Sequence, residues 1–224
     1  MGYLNIISFF WLLLLFFYSR YVLKQNEVVR NRFLKIQLLF VLLYNIGFLF
    51  VFPWKIPIEL STTSYFVVPI IVLFSIKYLK AWGVYASILT GSIYFIGMLL
   101  MGNKLYSNFP PYSVYTSLYN HGALISYAII TLKTAEFHKS ERNIIWVGLG
   151  LSAAWALLLR PLVTFTGRIF IYIVLEADLI NTYFPNNLKL GFIIYYPLLI
   201  VVLVFSANVV HLLNRKLKKP FNGL

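Results

Sequence analysis

The sequence predicts an all-α fold: a multi-pass transmembrane bundle of seven helices, forming one integral membrane domain over residues 1–224. Three observations predict it. Hydrophobic residues make up 61% of the chain and charged ones only 11%, whereas soluble domains carry roughly 25% charged residues. The apolar residues fall into seven long runs, 3–23, 34–52, 58–76, 82–101, 113–132, 144–165 and 190–213, each close to the about 20 residues that cross a bilayer. Finally, Lys and Arg alternate in density from one connecting segment to the next.

That third observation sets the orientation, because loops retained in the cytoplasm are rich in Lys and Arg. Arg20 to Lys35 hold five basic residues, Lys77 and Lys80 two, Lys133 to Arg142 three, and the tail from Arg215 to Lys219 four. The opposite side has Lys55, Lys104, Arg160, Arg168 and Lys189, so fourteen of the nineteen lie on one side. The rule therefore places the N-terminus outside and the C-terminus in the cytoplasm. The expected location is a bacterial cytoplasmic membrane. A net charge of +13 also fits nucleic-acid binding, but here the cations sit between apolar runs and not on one soluble face. Anionic lipid explains them better, and no nucleic-acid partner is expected.

Taken in order, the first run follows Met1 to Asn5, which lacks the basic residues of a signal peptide. Ile6 stands where myristoylation needs Ser or Thr. The second run carries one amide, Asn45, at about mid-depth. Pro57 opens the third, where its missing N–H costs nothing in a first helical turn. Glu59 follows, one of six acids in the chain, near the positive end of that helix dipole. Then come Ser61, Thr62, Thr63 and Ser64, whose hydroxyls can bond back to the preceding turn. The fourth run begins with Trp82-Gly83. The fifth contains Asn120-His121-Gly122, with His121 about 12 Å below the outer end and Ser117 one turn above on the same face. The sixth ends in Arg160-Pro161, with Arg160 roughly 7 Å below the outer end. Residues 169–180 are apolar but short, as re-entrant or interfacial segments are. Pro185, Asn186 and Asn187 form a turn before the last run.

Ionisable and amide groups at membrane depth are costly and mark functional sites unless they are paired. Glu59 is either an interfacial cap or a pocket carboxylate. His121 is either a histidine bonded across helices or a base and ligand contact. Arg160 either snorkels to the interface or pairs with Glu59, Glu176 or Asp178. All three main candidates fall in the outer half of the bilayer. The reading they support is an outer-leaflet polar pocket, lined by Glu59, Asn120, His121 and Arg160, that binds or handles a membrane lipid. One alternative is a lipid-modifying enzyme of acyl-transfer type using His121 or Glu59, with Ser61 as a weaker catalytic candidate. The other is a structural subunit of a larger complex with membrane-protein partners. With no cysteine, thiolate catalysis and thiolate-bound metals are excluded; no spacing indicates a metal or any cofactor.

The order Pro57-Ile58-Glu59-Leu60-Ser61, Trp82-Gly83, Asn108-Phe109-Pro110, His121-Gly122 and Asn181-Thr182-Tyr183-Phe184 resembles the YwaF-like integral membrane proteins related to transmembrane protein 164, over about residues 55–190. The resemblance implies a multi-helix bundle and, through the animal relatives, cysteine-dependent lipid acyl transfer. Family members commonly read Pro-Leu-His-Leu-Cys at positions 57–61. Glu59 thus replaces a histidine and Ser61 a cysteine, so thiol acyl-enzyme chemistry is excluded and Ser61 with His121 as base would be its substitute. Pro57-Ile58-Glu59 is also similar, more faintly, to membrane lycopene cyclases, whose second acidic residue is missing beside Glu59.

Overall fold

The computed structural model describes residues 2–52, 57, 60–106, 110–137, 140–159 and 188–217. Among them the chain is all-helical. In order come α1 (Tyr3–Leu23), α2 (Glu27–Val51), α3 (Leu60–Leu73), a 3-10 turn at Lys77–Leu79, α4 (Lys80–Tyr106), α5 (Pro111–Thr134), α6 (Glu141–Leu159) and α7 (Leu188–Leu217). Among the described residues three stretches are long and apolar enough to cross a membrane: Tyr3–Leu23, Glu27–Val51 and Lys77–Lys104.

Local chemistry explains three of the boundaries. The Asn26 side chain accepts the Val29 N–H at 2.9 Å and caps α2, with Glu27 in its first turn. This cap starts α2 at Glu27, earlier than the expected 34, so Arg30 and Arg32 are helical residues and not a loop. Composition read by hydropathy misses those two turns because they are charged. Pro111 occupies the first turn of α5, where a proline is pre-organised for helix. At the end of α3, Ser75 takes a left-handed φ of 55°. The Ile76 N–H then reaches back to the Ile71 carbonyl at 2.9 Å, a closure that normally employs glycine.

The bundle buries polar side chains among its apolar core and exposes many large apolar ones. On α1 the buried positions include Asn5, Ser8 and Ser19, while Phe9, Phe10, Phe16 and Phe17 are exposed. Phenylalanines facing outward at helical spacing are compatible with an apolar solvent, and small and polar residues at the seams are what helix packing in lipid favours. Helix α5 is the axis of the bundle, with 13 of its 24 residues buried. Its low exposure lets it carry Ser117, Asn120, His121, Ser126 and Thr131 without presenting them to lipid.

Polar side chains tie the neighbouring helices together. Asn5 donates to the Met98 and Leu99 carbonyls of α4 at 3.2 and 2.7 Å, and Asn103 accepts the Leu4 N–H at 2.9 Å. The start of α1 thus lies against the end of α4. Gln37 of α2 donates to the Ser126 hydroxyl of α5 at 2.9 Å and accepts from the Tyr18 hydroxyl of α1 at 3.2 Å. Asn214 of α7 donates to the Leu132 and Ala135 carbonyls, both at 2.8 Å, and accepts the Phe137 N–H at 3.3 Å. It therefore satisfies carbonyls that the last turn of α5 leaves without an intrahelical partner. Asn45, by contrast, donates to the Val41 carbonyl of its own helix at 2.7 Å. Ser64 likewise bonds back to the Leu60 carbonyl at 2.5 Å.

Candidate functional site

The buried imidazole of His121 lies where α3, α4 and α5 meet. Its Nδ1 is 2.9 Å from the Ser117 carbonyl, one turn earlier on α5. A carbonyl can only accept, so in the neutral ring Nδ1 carries the proton and Nε2 is left as an acceptor. The Tyr65 hydroxyl of α3 is 3.0 Å from Nε2 and 2.8 Å from Nδ1. It therefore donates to Nε2, the one nitrogen able to receive its proton. On the other face the Tyr94 ring of α4 stacks on the imidazole, with centroids 3.8 Å apart and planes 5° from parallel. Tyr65 meets the imidazole edge-on at 5.4 Å and 87°. Both ring nitrogens are thus bonded and the ring is clamped between two tyrosines.

The backbone around the ring is closely approached from two sides. Gly91 of α4 faces the Ile125 side chain and the His121 carbonyl of α5, and a β-carbon there would collide with Ile125. At Gly122 a β-carbon would stand 2.8 Å from Trp11 Nε1 and 2.9 Å from Leu15 Cδ1. Gly122 thus admits a neighbouring helix at close range, and that neighbour is α1. Trp82 and Gly83 also pack tightly. The indole fits against Gly148 of α6, and Gly83 lies against the Tyr127 hydroxyl.

Asn120 is 4% exposed, and its Oδ1 has no hydrogen-bond partner. Such a buried acceptor is uncommon and calls for a donor from elsewhere. Ser61 is half-buried at the start of α3, one turn before Tyr65, so the α3 hydroxyl that meets His121 is the phenol of Tyr65. Ser117 contributes its backbone carbonyl to the ring. Glu59 and Arg160 lie outside the described residues, as do residues 169–180 and His138. The Pro57 carbonyl accepts the Trp155 indole N–H of α6 at 2.8 Å, which brings α6 to the start of α3. No cluster of three or more His, Cys, Asp or Glu suited to a metal occurs among the described residues.

Sequence reasoning missed Tyr65, Tyr94, Gln37, Asn5 and Asn214. With 17 tyrosines in the chain, a phenol inside an apolar run reads as an interfacial aromatic. Only the helix packing distinguishes the two that touch His121. Gln37 did carry a signal, being a single amide among apolar residues near the start of the second run; Asn214, beside Arg215 and Lys216, carried none.

Chemically, the arrangement is a phenol bonded to a neutral imidazole inside a helix seam. It can hold a hydroxyl or amine against Asn120 Oδ1, and it can pass a proton between Tyr65 and His121. No family model, curated protein or solved structure matches the chain.

Proposed function

We propose that this chain is an integral membrane protein that binds a membrane lipid at the polar cluster of Tyr65, Asn120 and His121, in the half of the bilayer toward the outer leaflet. The observation that carries this reading is the unpartnered Asn120 Oδ1, buried next in sequence to a fully bonded imidazole. A headgroup hydroxyl or amine supplies the donor it lacks. The charge asymmetry of the loops supports an outside N-terminus and a cytoplasmic tail. By that rule the start of α5 is the outer end, with His121 about 15 Å from it at 1.5 Å per residue. Glu59 and Arg160 are the charged residues that the sequence assigns to the same level. The likeness of residues 55–190 to YwaF-like proteins, whose animal relatives act on lipid acyl groups, leans the same way.

The test is photolabelling in native membranes with a phospholipid carrying its reactive group on the glycerol backbone. Label is expected on peptides containing Tyr65 and Asn120. It is expected to fall in Asn120→Leu at unchanged expression. Label confined to the lipid-facing Phe9 and Phe17 side of α1 would overturn the proposal.

The hydrogen bond from Tyr65 to Nε2 favours a second reading, in which His121 is the acid–base group of a lipid-modifying enzyme. On that reading His121→Ala loses turnover of membrane lipid and retains lipid labelling. On the binding reading there is no turnover to lose.

A further inference from the structure

A second polar site lies at the other end of the bundle, independent of the His121 cluster. The first turns of α2, the end of α3, the start of α4 and the last turns of α5 enclose a cleft of about 270 Å³. Three cations, Arg30, Lys35 and Lys80, stand around it with one carboxylate, Glu27. Two helix N-termini and two C-termini meet there. Their dipoles oppose one another, so the side-chain charges set the sign, which is positive.

A charged mouth alone would be a solvated surface. The inner wall is different. Tyr127 lines it, is 2% exposed, and its hydroxyl has no hydrogen-bond partner. Thr131, one turn on, is its nearest polar neighbour, and the Glu141 carboxylate acts on the phenol from the side of α6. The left-handed Ser75 also borders the cleft and turns the chain so that Lys80 comes back over it. A buried donor behind three cations suits an anion with several acceptor oxygens. The space is below the about 300–1,000 Å³ of pockets for drug-sized ligands, so it admits a phosphate with a small substituent and not a polyanion.

We propose that this cleft binds a phosphate group, either the headgroup phosphate of an anionic lipid or that of a free phosphorylated solute. Arg30, Lys35 and Lys80 supply the charge, and Tyr127 donates from below to a phosphate oxygen. Basic pockets between transmembrane helices receive phosphorylated headgroups in this way.

The experiment uses the full chain in neutral detergent and reads ligand-dependent thermal stabilisation and native mass spectra. Phosphatidylglycerol is titrated against phosphatidylcholine; inorganic phosphate and glycerol 3-phosphate are titrated against chloride at equal ionic strength. Preference for phosphatidylglycerol that phosphate does not compete away identifies a lipid headgroup. Competition by phosphate or glycerol 3-phosphate identifies a soluble source. Either outcome supports the cleft when the preference weakens by about fivefold for each cation removed, in Lys35→Gln alone and further in Arg30→Gln/Lys80→Gln. Tyr127→Phe, which keeps the ring, is expected to weaken it with no loss of folding. Equal binding of the two lipids with no effect of phosphate over chloride would overturn the proposal. So would an unchanged preference in folded Lys35→Gln and Tyr127→Phe.

Discussion

Replacing Tyr65 with Phe removes one oxygen from the bundle and nothing else. The ring of Tyr65 keeps its edge-on contact, Tyr94 keeps its stack, and His121 keeps its bond to the Ser117 carbonyl. What is lost is the donor to Nε2, 3.0 Å away in a site that is 6–7% exposed. In a soluble core, stranding a buried acceptor costs about 1–3 kcal/mol. Between transmembrane helices the measured coupling is smaller, about 0.6 kcal/mol on average and up to about 1.7, because the unfolded chain also finds partners in the membrane. Both atoms here are buried, so we expect a coupling between that average and that maximum, about 1 kcal/mol. The assay is a double-mutant cycle on Tyr65→Phe and His121→Phe, with reversible unfolding by sodium dodecyl sulfate in mixed micelles. Tyr65→Phe should destabilise the native background and have little effect once His121 is Phe. If the two losses simply add, the phenol and imidazole are not bonded, and the site described around them is wrong.

Asn214→Leu removes two donated bonds and one accepted bond at the junction of α5 and α7. It is expected to destabilise by about 2–4 kcal/mol, with faster amide exchange at residues 135–137; unchanged stability and exchange would show that water replaces the amide. Orientation can be read directly because the chain has no cysteine. A single cysteine at Lys104 should react with an impermeant maleimide in intact cells, and one at Asn26 only after permeabilisation. The reverse pattern would invert the proposed topology.

Composition and patterning determined that this chain is helical and apolar enough to enter a membrane. Seven runs of hydrophobic residues with few charges leave helices as the structure that satisfies every backbone group in lipid. His121 was legible too, because a histidine within a 20-residue apolar run stands out against its neighbours. What the sequence could not determine was its company. Tyr65 and Tyr94 lie 56 and 27 positions away on other helices, and nothing in their local sequence separates them from the many tyrosines that face lipid. That choice is made by helix rotation and by the close approaches at Gly91 and Gly122, which bring α4 and α1 onto α5. The same holds for the basic cleft. Arg30, Lys35 and Lys80 read in sequence as loop charges obeying an orientation rule. The Asn26 cap extends α2 back to include Arg30 on the same helix as Lys35, and the Ser75 turn folds Lys80 back, so that packing sets all three around a buried phenol. Patterning fixes which solvent surrounds a helix, whereas the direction in which each scarce polar side chain points is a property of the assembled bundle.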